Sequence, residues 1–194
     1  MKNSLYKKKY IISLIIFVFC LFCDRLTKYL AIINLKDKDD FVIIKNALVL
    51  TYLENTGAAF SMLAGKRLIF IIITIIFSVI IFFFFFKIKP DRRYSPLYIC
   101  LTVILAGAVG NLIDRIMNGF VVDFIYFQII NFPVFNVADI CVTLGVIFLI
   151  IFLLFKYRNT DFETQKTSEE DGASEELNDN ELLNEAVKKD LNDV

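Results

Sequence analysis

The 194-residue sequence contains no histidine, and that absence excludes much of hydrolytic chemistry. Without an imidazole there is no Ser-His-Asp or Cys-His arrangement, no His-Glu-x-x-His zinc site and no histidine general base. Carboxylates, or a serine with a lysine, are what remains for splitting an amide bond. Basic residues are missing from Asn118 to Asn136. Small residues are missing ahead of the first cysteines, where Phe19 precedes Cys20 and Phe22 precedes Cys23. The apolar N-terminal run therefore lacks the cleavage site of a removable signal peptide and is expected to remain as a span. The four cysteines, Cys20, Cys23, Cys100 and Cys141, all fall within apolar segments, where they read as small apolar residues. No metal site and no cofactor are expected.

Hydrocarbon is what the chain has in excess. A hydrophobic fraction of 57% and a mean hydropathy of +0.64 exceed what a water-soluble domain of this length carries, and mark an integral membrane protein. Four spans are predicted, Tyr10 to Ile33, Leu68 to Phe86, Leu97 to Met117 and Val137 to Phe155. Each suits a hydrocarbon core of ~30 Å at ~1.5 Å of rise per residue. The second closes on five phenylalanines, Phe82 to Phe86, and reads as a lipid-facing anchor. The formal net charge of zero conceals an asymmetry: residues 156–194 hold 12 acids and 5 bases, residues 1–155 hold 9 acids and 16 bases. Two regions follow, a four-span domain over residues 1–156 and an acidic tail over 157–194. The tail is expected to be disordered. Partial helical periodicity in Leu177, Leu182, Leu183, Val187 and Leu191 leaves room for a short amphipathic helix.

Flanking bases set the predicted orientation. Lys2, Lys7, Lys8 and Lys9 precede the first span, Lys87, Lys89, Arg92 and Arg93 join the second to the third, and Lys156 and Arg158 follow the fourth. These segments and both termini are predicted cytoplasmic, and the connection free of bases is predicted outside.

Ionisable residues inside a membrane are expensive and are functional candidates by default. Asp24 lies 14 residues beyond Tyr10, and Asn111 lies 14 beyond Leu97, which is about 21 Å of helical rise in each case. Asp114, Arg115 and Asp139 fall near the same depth. Asp24 with Lys28 and Asn111 with Arg115 are spaced i,i+4, so each pair shares a helix face. Asn136 is placed to cap the fourth span, with Asp139 three residues on. Taken singly, these readings are also met by a snorkelling ion pair and an ordinary helix cap.

Two aspartates stand out as a chemical pair, Asp139 at a helix end and Asp123 in the outer loop between the third and fourth spans. Neighbouring carboxyl groups do not both ionise easily, so one keeps a proton. The ionised member can take a proton from an attacking water while the protonated member polarises the carbonyl and supplies the leaving nitrogen. Asp123 must fold back toward Asp139 for this, and its loop is expected to move as a lid.

Five segments together resemble the lipoprotein signal peptidases. These are Asp24-Arg25-Leu26-Thr27-Lys28, Asn55-Thr56-Gly57-Ala58-Ala59-Phe60, Gly110-Asn111-Leu112-Ile113-Asp114-Arg115, Val121-Val122-Asp123-Phe124 and Phe135-Asn136-Val137-Ala138-Asp139. The resemblance covers roughly residues 8–156. It implies an all-α membrane protein of four transmembrane helices with a small extracytoplasmic β-sheet and an outer loop between helices 3 and 4. It also implies an aspartic endopeptidase of the bacterial cytoplasmic membrane that cleaves prolipoproteins on the amino side of a diacylglyceryl-modified cysteine. Asp123 and Asp139 would be catalytic. Asp24, Asn55, Gly57, Asn111, Arg115 and Asn136 would shape the site or hold substrate, and Lys28, Gly110, Asp114 and Ala138 would be structural. Phe41 to Lys45 and Leu48 to Leu53 are the strand candidates. Lipidated precursors and membrane lipid are the expected partners and nucleic acid is not; a monomer is expected. Two rivals are a serine peptidase using Ser61 with a lysine, and a non-enzymatic lipid-handling or transport protein.

Overall fold

The computed structural model describes residues 2–57, 65–89 and 91–156. Ala58, Ala59, Phe60 and Ser61 of the sequence reading, and every expectation for 157–194, lie outside the described residues. The order of elements is α1 (Lys2–Leu35), β1 (Phe41–Ile44), β2 (Leu48–Asn55), α2 (Arg67–Lys87), α3 (Ser95–Met117), β3 (Val121–Phe127) and α4 (Val137–Lys156). All four helices are long and apolar enough to cross a membrane. Their bounds follow the predicted spans closely except at the start of α1, which forms eight residues before Tyr10.

Lys9 explains part of that extension. It was read as a flanking base, yet it is buried, and its Nζ donates to the carbonyls of Phe85 (2.6 Å) and Ile88 (3.0 Å) at the end of α2. The ammonium also sits 4.3 Å from the centre of the Phe85 ring. A cation placed on the last carbonyls of a helix satisfies orphan acceptors and suits the negative end of its dipole.

Within the membrane there is no hydrophobic drive between helices, so close approach and polar ties hold them together. α3 packs against both α1 and α2. Against α4 it comes closest at Gly107, where an added Cβ would collide with the Ala138 carbonyl and stand 2.9 Å from a Val142 methyl.

The three strands form one antiparallel sheet in the order β1-β2-β3. β1 and β2 are a hairpin turned at Asn46, whose φ of 61° is one that asparagine tolerates. β2 runs against β3 with Leu53 opposite Asp123 and Asn55 opposite Val121. This third strand corrects the sequence reading, in which Asp123 belonged to an outer loop able to act as a lid. Asp123 is a buried residue of a paired strand, backed by Val122 and Phe124, which pack with Ala31 and Leu35 of α1. Contiguous valine, phenylalanine and isoleucine around it favour a strand. The chain leaving β3 is pinned back on it: the Phe135 amide donates to the Ile125 carbonyl (3.0 Å), and the Ile125 amide returns the bond (2.9 Å).

Gly107→Ala is expected to cost about 1–3 kcal/mol through overpacking. It should lower the midpoint of thermal unfolding in detergent, whereas a substitution at the exposed Phe148 should not.

Candidate active site

Asp123 and Asp139 line one cavity of ≈ 580 Å³. They are joined through a single residue, Asn136. Its Nδ2 donates to Asp123 Oδ1 at 2.6 Å and its backbone amide donates to Asp139 Oδ2 at 3.1 Å. The Asp139 amide donates in return to Asn136 Oδ1 at 3.0 Å. This reciprocal pair is a capping box in which Asn136 caps α4 and Asp139 is the third residue inward. One asparagine thus starts the helix and spaces the two carboxylates. The second oxygen of Asp123 accepts from Asn55 Nδ2 (2.7 Å), and Asp139 Oδ1 accepts from Asn111 Nδ2 (2.7 Å).

Asn111 is itself oriented. Its Oδ1 accepts from Lys28 Nζ at 2.8 Å and from Asn136 Nδ2 at 3.2 Å. With the carbonyl side occupied by two donors, the amide must present its N–H groups to Asp139. Lys28 is held in turn by Asp24 (3.1 Å) and Asp114 (2.8 Å). Arg25 closes the group, bonding Asp24 (2.8 Å), Asp114 (2.6 Å) and the Gly110 carbonyl (2.9 Å). Two cations and two anions make a neutral cluster, in which Asp24, Lys28 and Asp114 are buried and Arg25 is half-buried at its edge. It is anchored to α4 where the Ala138 amide donates to Asp24 (3.1 Å), and to β3 where the Val122 amide approaches Asp114 at 3.4 Å.

The polar residues named from sequence therefore separate into two sets. Asn55, Gly57, Asn111 and Arg115 line the cavity with the two aspartates, and Asn136 links the pair from behind. Asp24, expected among the substrate-shaping residues, lies instead in the charge cluster with Lys28 and Asp114, away from the cavity wall. Gly110 and Ala138 are spacers there, and a Cβ on Gly110 would sit 2.6 Å from Asp24 Oδ2. Arg25 was not singled out; its place beside Asp24 in an apolar span was the available signal. Arg115 crosses the cavity wall, donating to the Gly57 carbonyl (3.1 Å) with its guanidinium 4.9 Å from the centre of the Phe70 ring. It forms no ion pair among the described residues. No three metal-ligating side chains converge among the described residues.

Burial pushes the Asp123 carboxyl up to about 6, and nearby Asp139 adds to the rise, while the Asn55 and Asn136 amides oppose it. A site that raises a carboxyl into this range can hold one proton between two acids. Apolar walls complete the cavity, with Phe70 from α2, Phe132 and Phe135 from the segment after β3, and Ile140 and Leu144 from α4. The arrangement can activate a water and protonate a leaving group beside a surface suited to hydrocarbon.

The family described as signal peptidase (SPase) II matches residues 16–155. The chain belongs to that family. It is 43% identical over 145 residues to a lipoprotein signal peptidase of Clostridium tetani, covering 73% of this chain and 92% of that one. It is 41% identical over 157 residues to one of Lactococcus lactis, covering 81% and 99%. A third, from Staphylococcus epidermidis, is 45% identical over 152 residues, covering 76% and 93%. Among solved structures, that of a bacterial membrane enzyme aligns with a TM-score of 0.68 at 40% identity, over 76% of this chain and 90% of its own. The region matched to signal peptidase II contains Asp123, Asp139 and the residues bonded to them, and reaches from within α1 to the end of α4.

A raised folded-state pKa means the folded protein binds more protons than the unfolded chain between about 4 and 6. Stability from this group is fully present below the unfolded value of 3.8 and is lost as pH rises through about 6. Thermal midpoints in detergent should carry a falling component across that window, and Asp123→Asn should remove it. An identical pH dependence in the two proteins would contradict the assignment.

Proposed function

We propose that Asp123 and Asp139 are the catalytic pair of an intramembrane aspartic endopeptidase. The activity is removal of the signal peptide from prolipoproteins, as family membership supports. The observation that carries the residue assignment is the shared cavity, with Asn136 touching both carboxylates.

The roles divide by surroundings. Asp139 lies in the first turn of α4, where the positive end of a helix favours a negative charge, and receives N–H groups from Asn111 and Asn136. It acts as the base that takes a proton from water. Asp123 is surrounded by neutral amide donors and holds its proton more readily. It polarises the scissile carbonyl and then protonates the departing nitrogen. Atoms balance: water supplies hydroxyl to the new carboxyl end and its proton reaches the new amine through the pair. Arg115, which forms no ion pair among the described residues, and the Asn55 and Gly57 backbone region hold the extended substrate. The cluster of Asp24, Arg25, Lys28 and Asp114 keeps Asn111 aimed.

The substrate is a diacylglyceryl-modified precursor cut on the amino side of its cysteine. The apolar wall shared by α2 and α4 supports this, since a lipid-borne chain enters from the side and its acyl groups need hydrocarbon contact. By the positive-inside rule both termini are cytoplasmic, and the sheet with the site stands at the outer face of a bacterial cytoplasmic membrane. Residues 1–156 form the peptidase domain, and 157–194 are a tail that catalysis does not use.

Purified protein should cut a diacylglyceryl-modified precursor, and Asp123→Asn and Asp139→Asn should each fold and lose at least ~10²-fold in rate, the scale of general acid–base catalysis. Either variant cutting at nearly the wild-type rate would sink the assignment. Protein ending at residue 156 should cut at the full rate.

A further inference from the structure

Asp123 and Phe124 are neighbours on β3 that face different cavities. Phe124 closes one side of a second groove, ≈ 720 Å³, whose lining shares no residue with the catalytic cavity. Its other wall is the end of α1 nearest the sheet, from Thr27 to Leu35, about 12 Å of helix. Its charged residues, Lys38, Asp39 and Asp40, all lie where the chain leaves α1 for β1, beside the apolar Leu35, Phe41 and Leu50. Toward the span it is lined by Thr27, Leu30 and Ala31, with Phe124 of β3 opposite.

The hydrogen-bond inventory decides which polar groups are open. Thr27 Oγ1 donates to the Cys23 carbonyl (2.7 Å), Asn34 Nδ2 to the Leu30 carbonyl (2.8 Å) and Lys38 Nζ to the Ile33 carbonyl (2.8 Å). Each of these groups spends one hydrogen on α1, and the Lys38 ammonium keeps two more N–H groups. The acidic groups that line the groove are the exposed carboxylates of Asp39 and Asp40. Neither carboxylate forms an ion pair among the described residues. Nearby Lys36 is engaged with Glu54 at 2.9 Å. With Lys38 as the one cation lining it, the mouth has one negative charge in excess.

An amphipathic groove, apolar at membrane depth and acceptor-rich at the surface, answers a ligand built the opposite way: an acyl chain below and an N–H-rich cation above. We propose that it holds one phospholipid of the surrounding leaflet by an ammonium-bearing headgroup, of the phosphatidylethanolamine class. Its ammonium meets Asp39 and Asp40, its phosphate lies beside the free N–H groups of Lys38, and a chain lies on Leu30 and Phe124. A purely anionic headgroup meets like charge at the mouth and is disfavoured. The proposal relies on α1 spanning the bilayer and on nothing in the catalytic assignment.

The chain has no tryptophan, so a single introduced indole reports its own surroundings. Full-length Leu30→Trp, placed in bilayers of phosphatidylglycerol, is titrated with brominated phosphatidylethanolamine or brominated phosphatidylglycerol. The comparison is Phe148→Trp on the exposed face of α4. Half-quenching at position 30 is expected at about fivefold less of the ethanolamine lipid, the order of effect for one charge near a membrane surface. Position 148 should show no preference. Asp39→Asn with Asp40→Asn, in the Leu30→Trp background, should bring the two titrations together while precursor cleavage stays intact. Native mass spectrometry of the unsubstituted protein should retain the same lipid in preference. Equal quenching by both lipids at position 30, or a preference that survives loss of both aspartates, overturns the proposal. Emission that ignores both lipids but moves on adding a precursor peptide also overturns it, in favour of a substrate groove.

Discussion

Four clustered charges, three of them buried and the fourth, Arg25, with its side chain 32% exposed, hold this molecule in register. Asp24, Arg25 and Lys28 come from α1 and Asp114 from α3, and their mutual distances run from 2.6 to 3.1 Å. Removing charges from water is costly, and a buried group of this kind survives only when geometry and additional hydrogen bonds compensate it. Here the compensation comes from backbone: the amides of Ala138 and Val122 and the carbonyl of Gly110 all reach the cluster. Four elements therefore meet at one electrostatic point. Losing any single charge leaves an uncompensated partner in a low-dielectric interior, which is why the cluster fixes a position more firmly than apolar packing between helices in lipid would.

The chemistry follows outward from that point. Lys28 has a bond left over for Asn111, and Asn111, with its oxygen taken, turns its amide to Asp139. From the other direction, the pairing of Phe135 with Ile125 delivers Asn136 to a place where it both caps α4 and touches Asp123. Neither carboxylate is positioned by its own backbone alone. Preorganised neutral donors around acids that must exchange a proton let the pair change charge without rearranging its surroundings.

Much of this could be read from residue order. Apart from the start of α1, long apolar runs gave the helices to within two residues, since twenty or so hydrocarbon-facing positions admit few alternatives. The depth argument correctly gathered Asp24, Asn111, Asp114, Arg115 and Asp139 into one layer, and the spacing of Asn136 and Asp139 foretold the cap. What escaped was tertiary. Lys9 looked like any base flanking a span, because nothing local reveals that the end of α2 lies beside it. β3 was taken for loop because its first half, Val121 to Phe124, is buried on both sides and so lacks the alternation that marks a half-exposed strand. Depth located Asp24 along its helix but said little about which neighbour it faces, and the structure turns it to Arg25, Lys28 and the Ala138 amide.

That misreading of β3 matters because the strand is what ties sheet register to the reaction. In a strand, successive side chains point to opposite sides, so a slip of one residue would exchange Asp123 for Val122 or Phe124 and leave a carboxylate among Ala31 and Leu35. Asn55 blocks such a slip. It lies opposite Val121, one diagonal step from Asp123, and bonds that carboxylate at 2.7 Å. The Val122 amide near Asp114 fixes the same strand from the helix side. A lid that carried Asp123 away would have to break both ties and expose Val122 and Phe124. Among the described residues, the segment after β3 and the α2 and α4 wall can part from the cavity with the aspartate itself remaining in place.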